Sequence, residues 1–168
     1  MLKKIDVKEL HENPFTLIGD DWALLGAGDK DKFNSMTVSW GGVGILWKNP
    51  VTTVYVRQSR YTKEFMDNNE YYTLTFLKDG HKKELTLLGT KSGRDIDKMN
   101  DSGLTPIEVE NGMTYEEAKL VFVCRKLFKN DLLKEQFVDE SVFDACYPDA
   151  DDFHTMYIGE ITACYISE

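Results

Sequence analysis

Little in this sequence points to a membrane, a disulfide frame or a nucleic acid. The 168 residues contain no apolar run near the ~20 residues that cross a bilayer. The opening MLKKIDVKEL alternates charged and apolar residues and lacks the apolar core of a secretory signal, so the cytoplasm is the expected compartment. Cysteine is scarce: Cys124, Cys146 and Cys164 are odd in number and form no CxxC, so inert thiols are expected and no metal site. Basic charge is also short, with 20 Lys and Arg against 29 Asp and Glu and a net charge of −9. That balance argues against nucleic acid or anionic membrane as a partner, because phosphate arrays need a basic face. The GxSxG elbow, the GxxxxGK[ST] loop, HExxH and GxGxxG are all missing. With no internal repeat and no Pro/Ser/Gly-rich linker, residues 1–168 read as a single domain.

What is present is a β-rich pattern. Phe15 to Ile18, Trp22 to Ala27 and Phe33 to Trp40 are apolar or alternating runs, with a turn signal at Gly28-Asp29-Lys30-Asp31. Val51 to Arg57 is dense in β-branched residues after the breaker Asn49-Pro50. Ser59 or Thr62 is placed to cap a short helix through Lys63–Met66 that stops near Asn68 and Asn69. A strand at Tyr71 to Leu77, helical stretches at Lys82 to Leu88 and Arg94 to Asn100, and strands at Ile107 to Val109, Lys119 to Phe128 and Phe153 to Tyr165 follow. A small acidic helix is expected around Asp139 to Cys146. Seven or eight strands with two to four short helices and no βαβ rhythm predict a mostly β, mainly antiparallel sheet, most simply a barrel.

Two segments concentrate chemistry. In Asn34-Ser35-Met36-Thr37-Val38-Ser39-Trp40, polar groups recur at every second position, which on a strand aims them to one face. The pattern alone fits a solvent-exposed face as well as a ligand-facing one. In Arg57-Gln58-Ser59-Arg60-Tyr61-Thr62, two guanidinium groups and several hydroxyls gather where a strand ends and a helix begins, which suits a phosphate. Gly89-Thr90-Lys91-Ser92-Gly93-Arg94 repeats the theme. By contrast, Gly41-Gly42-Val43-Gly44 is expected to be a bulged β connection, and Asp149, Asp151, Asp152 and His154 lack calcium-loop spacing and read as a solvated acidic loop.

Taken in order, NSMTVSW, GILWKNPVTTVYVRQSRYTKEF, GTKSGRDIDK and HTMYIGEI resemble the flavin reductase-like, FMN-binding split-barrel family that includes the flavoredoxins. The resemblance runs from about residue 14 to residue 165. It implies a split β-barrel with short helices, a homodimer, and FMN held near the dimer interface, with electrons arriving from NAD(P)H or a protein donor and leaving to a small molecule or free flavin. It further implies that Asn34, Ser35, Met36, Thr37, Ser39 and Trp40 lie along the flavin ring. Arg57, Arg60, Tyr61 and Thr62 correspond to the phosphate-binding turn, Lys91 and Ser92 to a second contact loop, and His154 to a catalytic histidine near the flavin. Where relatives often carry a cysteine before the Gly-Thr pair, this chain has Leu88, so no thiol acts there. The expected activity is NAD(P)H-dependent flavin reduction. The alternatives are a flavoredoxin-like electron carrier with a protein donor and a cofactor-free anion-binding barrel.

Overall fold

The computed structural model describes residues 1–149 and 151–168. Its strands are β1 (Leu2–Ile5), β2 (Ala23–Gly28), β3 (Phe33–Val38), β4 (Gly41–Leu46), β5 (Asn49–Arg57), β6 (Tyr71–Leu77), β7 (Pro106–Val109), β8 (Gly112–Tyr115), β9 (Ala118–Asp131) and β10 (His154–Ser167). The helices are α1 (Pro14–Thr16), α2 (Tyr61–Asn68), α3 (Lys82–Thr90), α4 (Lys98–Ser102) and α5 (Glu140–Cys146). None is long and apolar enough to cross a membrane.

Every strand pairing is antiparallel, and the main sheet runs β3-β2-β6-β9-β10-β5-β4 with β1 added on β10. The sheet does not close: β3 ends one side and β4 the other. Its bend comes from β10, whose register with β9 shifts at Ile158/Gly159 and again between Ile161 and Ala163. Such bulges sharpen local twist, so one strand faces two neighbourhoods. The first half of β10 pairs with β5 and its last residues pair with β1. Gly159 is required at the first bulge, because a Cβ there would stand 2.5 Å from the buried Tyr72 hydroxyl.

Both faces of the β2 region are covered, which explains its unbroken apolar run. Leu25 joins Val56, Met66, Leu74, Phe76, Phe122 and Tyr157 inside the curved sheet, while neighbouring Leu24 packs outward with Leu85, Leu88 and Tyr115 under α3. Leu88 and Phe76 are fully buried, so truncating either to Ala would cost about 2–5 kcal/mol.

Several expectations need correction. Phe15 to Ile18 is helical rather than extended: Asn13 caps the Phe15 N–H, Pro14 takes the first helical position, and a π-helical turn continues through Leu17–Asp21. Apolarity over so short a run does not specify a strand against a cap and proline start. Gly41–Leu46 is a full strand paired with β5, and Trp47 and Lys48, with φ of 50° and 67°, make its two-residue turn. Residues 94–97 are turn, and α4 begins only at Lys98 because Asp97 caps it through the Met99 and Asn100 N–H groups. Neither Ser59 nor Thr62 caps α2: Arg60 holds that position without a side-chain bond, and Thr62 lies within the first turn. β1 and β8 had no counterpart among the expected strands.

Candidate functional site

Where β5 runs out, the chain turns through Gln58-Ser59-Arg60 into α2, and the end of α3 with residues 91–93 closes against it. Between them lies a cavity of about 160 Å³ lined by Ser59, Arg60, Tyr61, Thr62, Thr90, Lys91, Ser92 and Lys98. Gly93 permits this closure. A Cβ there would meet Asn34 Oδ1 at 2.4 Å and the Tyr61 ring at 3.0 Å. Arg94 locks the outer side by donating to the Ser59 carbonyl and the Glu64 carboxylate while its guanidinium lies over the Tyr61 ring.

The electrostatics of this cavity are one-sided. Lys98 is only 4% exposed, yet its ammonium donates to two neutral acceptors, the carbonyls of Ser35 (2.9 Å) and Leu88 (2.8 Å). Burial, with Arg60 nearby, pulls its pKa down to about 8. Arg60 donates to the Gly89 carbonyl at 2.8 Å, and burial lowers its pKa as well. Among the described residues neither cation forms an ion pair. Buried charge is costly unless compensated. Carbonyl oxygens hold both cations, and the Asp152 carboxylate acts on Arg60 from outside the lining, so positive charge is gathered here in a chain of net charge −9. Lys98 was not foreseen. In sequence it is one more lysine in a polar stretch, and only the fold brings its ammonium against the Ser35 and Leu88 carbonyls.

β3, the end strand of the sheet, has no strand partner on one edge and is tied to the cavity lining by the bonds of Asn34 to Thr62 and of Lys98 to the Ser35 carbonyl. Asn34 is buried and donates its amide to the Thr62 hydroxyl at 2.7 Å, tying β3 to α2. Met36 lies in the inner core. The hydroxyls of Ser35 and Thr37 engage the Tyr115 hydroxyl and the Leu85 carbonyl. Ser39 and Trp40 are exposed beyond the strand end. Lys91 is exposed, its backbone N–H ending α3 on the Leu87 carbonyl, and the Ser92 hydroxyl accepts from the Arg94 N–H.

Arg57 stands apart from the cavity. Its guanidinium donates to the carbonyls of Asp152 (2.9 Å) and Cys146 (3.0 Å) and lies over the Tyr147 ring at 5.2 Å. It therefore clasps the segment after α5 to the sheet. His154, opposite Arg57 in the β10–β5 register, is buried. Its Nδ1 is 2.7 Å from the Tyr147 hydroxyl and its ring lies 5.2 Å from the Trp40 ring. Burial and then Arg57 depress its pKa to about 4, so at neutral pH this imidazole is uncharged. Asp152, expected in a solvated loop, instead accepts from the Ser59 N–H and hydroxyl and so braces the phosphate-type turn. The described residues contain no cluster able to hold a metal ion.

A family model, the flavin reductase like domain, matches residues 18–168. No curated protein matches. Among solved structures, a flavoredoxin from Methanosarcina acetivorans is 26% identical, with a TM-score of 0.67, covering 88% of this chain and 69% of that one. An FMN-binding domain of a flavin reductases-like enzyme from Shewanella baltica has a TM-score of 0.69 at 14% identity, over 99% of this chain and 77% of its own. A flavoredoxin of Desulfovibrio vulgaris has a TM-score of 0.67 at 19% identity, over 99% of this chain and 78% of its own. The open antiparallel sheet with its short helices is the split-barrel fold of these proteins. The family is one of flavin-binding oxidoreductases, and the chain described here, matched by its model over residues 18–168, belongs to the flavin reductase-like domain family.

Proposed function

We propose that this protein is an FMN-dependent oxidoreductase that takes electrons from NAD(P)H and delivers them to a small acceptor or to free flavin. The observation that carries this reading is the pair of cations at one cavity, buried Lys98 and half-buried Arg60, neither in an ion pair among the described residues. A cavity of about 160 Å³ is below the ~300–1,000 Å³ of a whole-ligand pocket, so it suits the phosphate end of a mononucleotide while the ring lies outside it. Arg60, Thr62, Lys91 and Ser92 would hold the phosphate, with forked, hydroxyl and ammonium donors. Asn34, Met36, Thr37, Ser39 and Trp40 would border the ring, largely through β3's unpaired backbone. Bound FMN would supply two-electron chemistry, accepting a hydride and passing on its electrons. Lys98, in the lining of the same cavity, would add its charge to the hold on the phosphate, because a fixed cation in a dry site needs no reorganisation to act. His154 would wall the site without titrating near neutrality. Tyr61 positions the turn by packing on Phe65 at 5.1 Å and beneath Arg94.

The apolar edge of β4, with Ile45 70% and Trp47 55% exposed, supports a homodimer. An unpaired apolar edge strand invites a twofold contact. Anaerobic stopped-flow mixing tests the whole reading: purified protein should be yellow, and its flavin should bleach within seconds on adding NADH or NADPH. A colourless protein that takes up no FMN would overturn the cofactor assignment in favour of an anion-binding barrel. The likeness to flavoredoxins supports a second reading, an electron carrier with a protein donor. Bound flavin that neither nicotinamide bleaches would establish it.

A further inference from the structure

The segment between β9 and β10 carries the acidic helix α5, whose C-terminal cap is Tyr147, a residue that no site motif includes. Tyr147 is 5% exposed, packed edge-on against Phe137 and face-tilted against Phe143, and its hydroxyl is 2.7 Å from His154 Nδ1. Arg57 lies over its ring and pins the backbone on both sides of it, at Cys146 and Asp152. The hydroxyl is therefore held in register with the imidazole by three elements, α5, β5 and β10, and by the Phe137 ring.

We infer that Tyr147 is a positioning residue that donates its phenolic proton to His154 Nδ1 and so fixes His154 as the Nε2–H tautomer, a permanent hydrogen-bond donor to the site rather than a proton carrier. The direction of the bond follows from acid and base strength. A phenol is a far stronger acid than a neutral imidazole N–H, and an imidazole nitrogen is a far stronger base than a phenolic oxygen, so O–H···N is the favoured arrangement. Among the described residues Nε2 has no hydrogen-bond partner, nor is it among the sealed polar atoms without one. Its proton thus reaches accessible space beside Trp40. The charged groups around the ring are Arg57, Asp152 and Arg60, and burial together with the two cations keeps the imidazole neutral. Second groups that set a histidine's tautomer in this way determine which nitrogen acts.

This inference rests on the flavin reading for its purpose but not for its test. Long-range ¹H–¹⁵N spectra of the protein as purified, with His154 assigned by His154→Gln against His11 and His81, should show an unprotonated-type Nδ1 and a protonated-type Nε2 at neutral pH. In Tyr147→Phe, which keeps the ring in its aromatic cluster, both resonances should move toward the averaged positions of a tautomer mixture. A wild-type Nδ1–H tautomer, or spectra unchanged by Tyr147→Phe, would overturn the assignment. Neither result depends on the variant being active. FMN absorption of the same wild-type sample reports separately on the cofactor: its failure to bind would remove the flavin reading while leaving the tautomer result intact.

Discussion

The open sheet has two end strands, and they are opposites. β3 is buried on both sides, bordered by α2, α3 and α4, and tied through Asn34 and Ser35 to the cavity lined by Arg60 and Lys98. β4 is exposed along nearly its whole length and presents Val43, Ile45 and Leu46 to solvent, with Trp47 at the turn. An unclosed barrel has two sets of unsatisfied groups to resolve, and this chain resolves one with polar chemistry and leaves the other apolar. The difference teaches that the two edges of one open sheet can be left in opposite chemical states, and under the proposed function one would take a charged small molecule and the other a second copy of the chain.

The largest effect is expected at β4. If a second copy covers that edge, Ile45→Asp should convert a dimer to a monomer by light scattering, because a charge opposite apolar surface is not compensated. A monomeric wild type at micromolar concentration would break the comparison by showing the edge uncovered. At the β3 end, Arg60→Ala and Thr62→Ala should each weaken FMN binding by roughly tenfold to over a hundredfold, the equivalent of about 1.5–3 kcal/mol for a bond to a charged group. Fluorescence titration measures it, and riboflavin, without the phosphate, should be nearly indifferent; equal FMN retention by the variants and wild type would remove the phosphate assignment.

A smaller change is expected from Asn34→Ala, about tenfold or less in affinity with a shift of the visible flavin spectrum, since one neutral bond is worth about 1 kcal/mol. Trp40→Ala should act on the spectrum more than on stability, because the side chain is 51% exposed and its loss falls short of the ~3–5 kcal/mol of a buried aromatic. Thermal melts recorded beside the titrations separate the two. The smallest effect is a pH dependence. Lys98, with its pKa lowered to about 8, is charged below that value and neutral above it, so FMN affinity should fall as pH rises through about 8. Lys98→Met should bind more weakly and lose that inflection; a wild-type profile flat through this range would argue that Lys98 does not face the anion.

Much of the fold and part of the site were legible in the residues. Alternation and β-branching mark β3, β5, β6 and β9, and the Arg-Gln-Ser-Arg-Tyr-Thr turn announces its charge. β4 was hidden because three of its six residues are glycine and its apolar residues face solvent, so neither propensity nor burial pattern identifies it. Lys98 and Tyr147 were hidden for another reason. Both sit in segments of ordinary surface composition, and their burial comes from contacts with residues distant in the chain, Ser35 for the one and Arg57 for the other. Arg57 reads as a phosphate ligand by type, and in the structure two of its N–H donors go to the carbonyls of Asp152 and Cys146.

The shared edge of β10 also has a consequence for how the chain assembles. β1 has one strand partner, the last residues of β10, with Leu2 opposite Ser167 and Ile5 opposite Cys164. Contacts between residues so far apart in sequence are slow to form, because loop closure must be met before they stabilise anything. During synthesis β1 therefore waits for β10, and until the two meet its four residues and the edge of β10 facing away from β9 stand unpaired. The seam between them is where the molecule finishes folding and where, under mild denaturant, hydrogen exchange should begin.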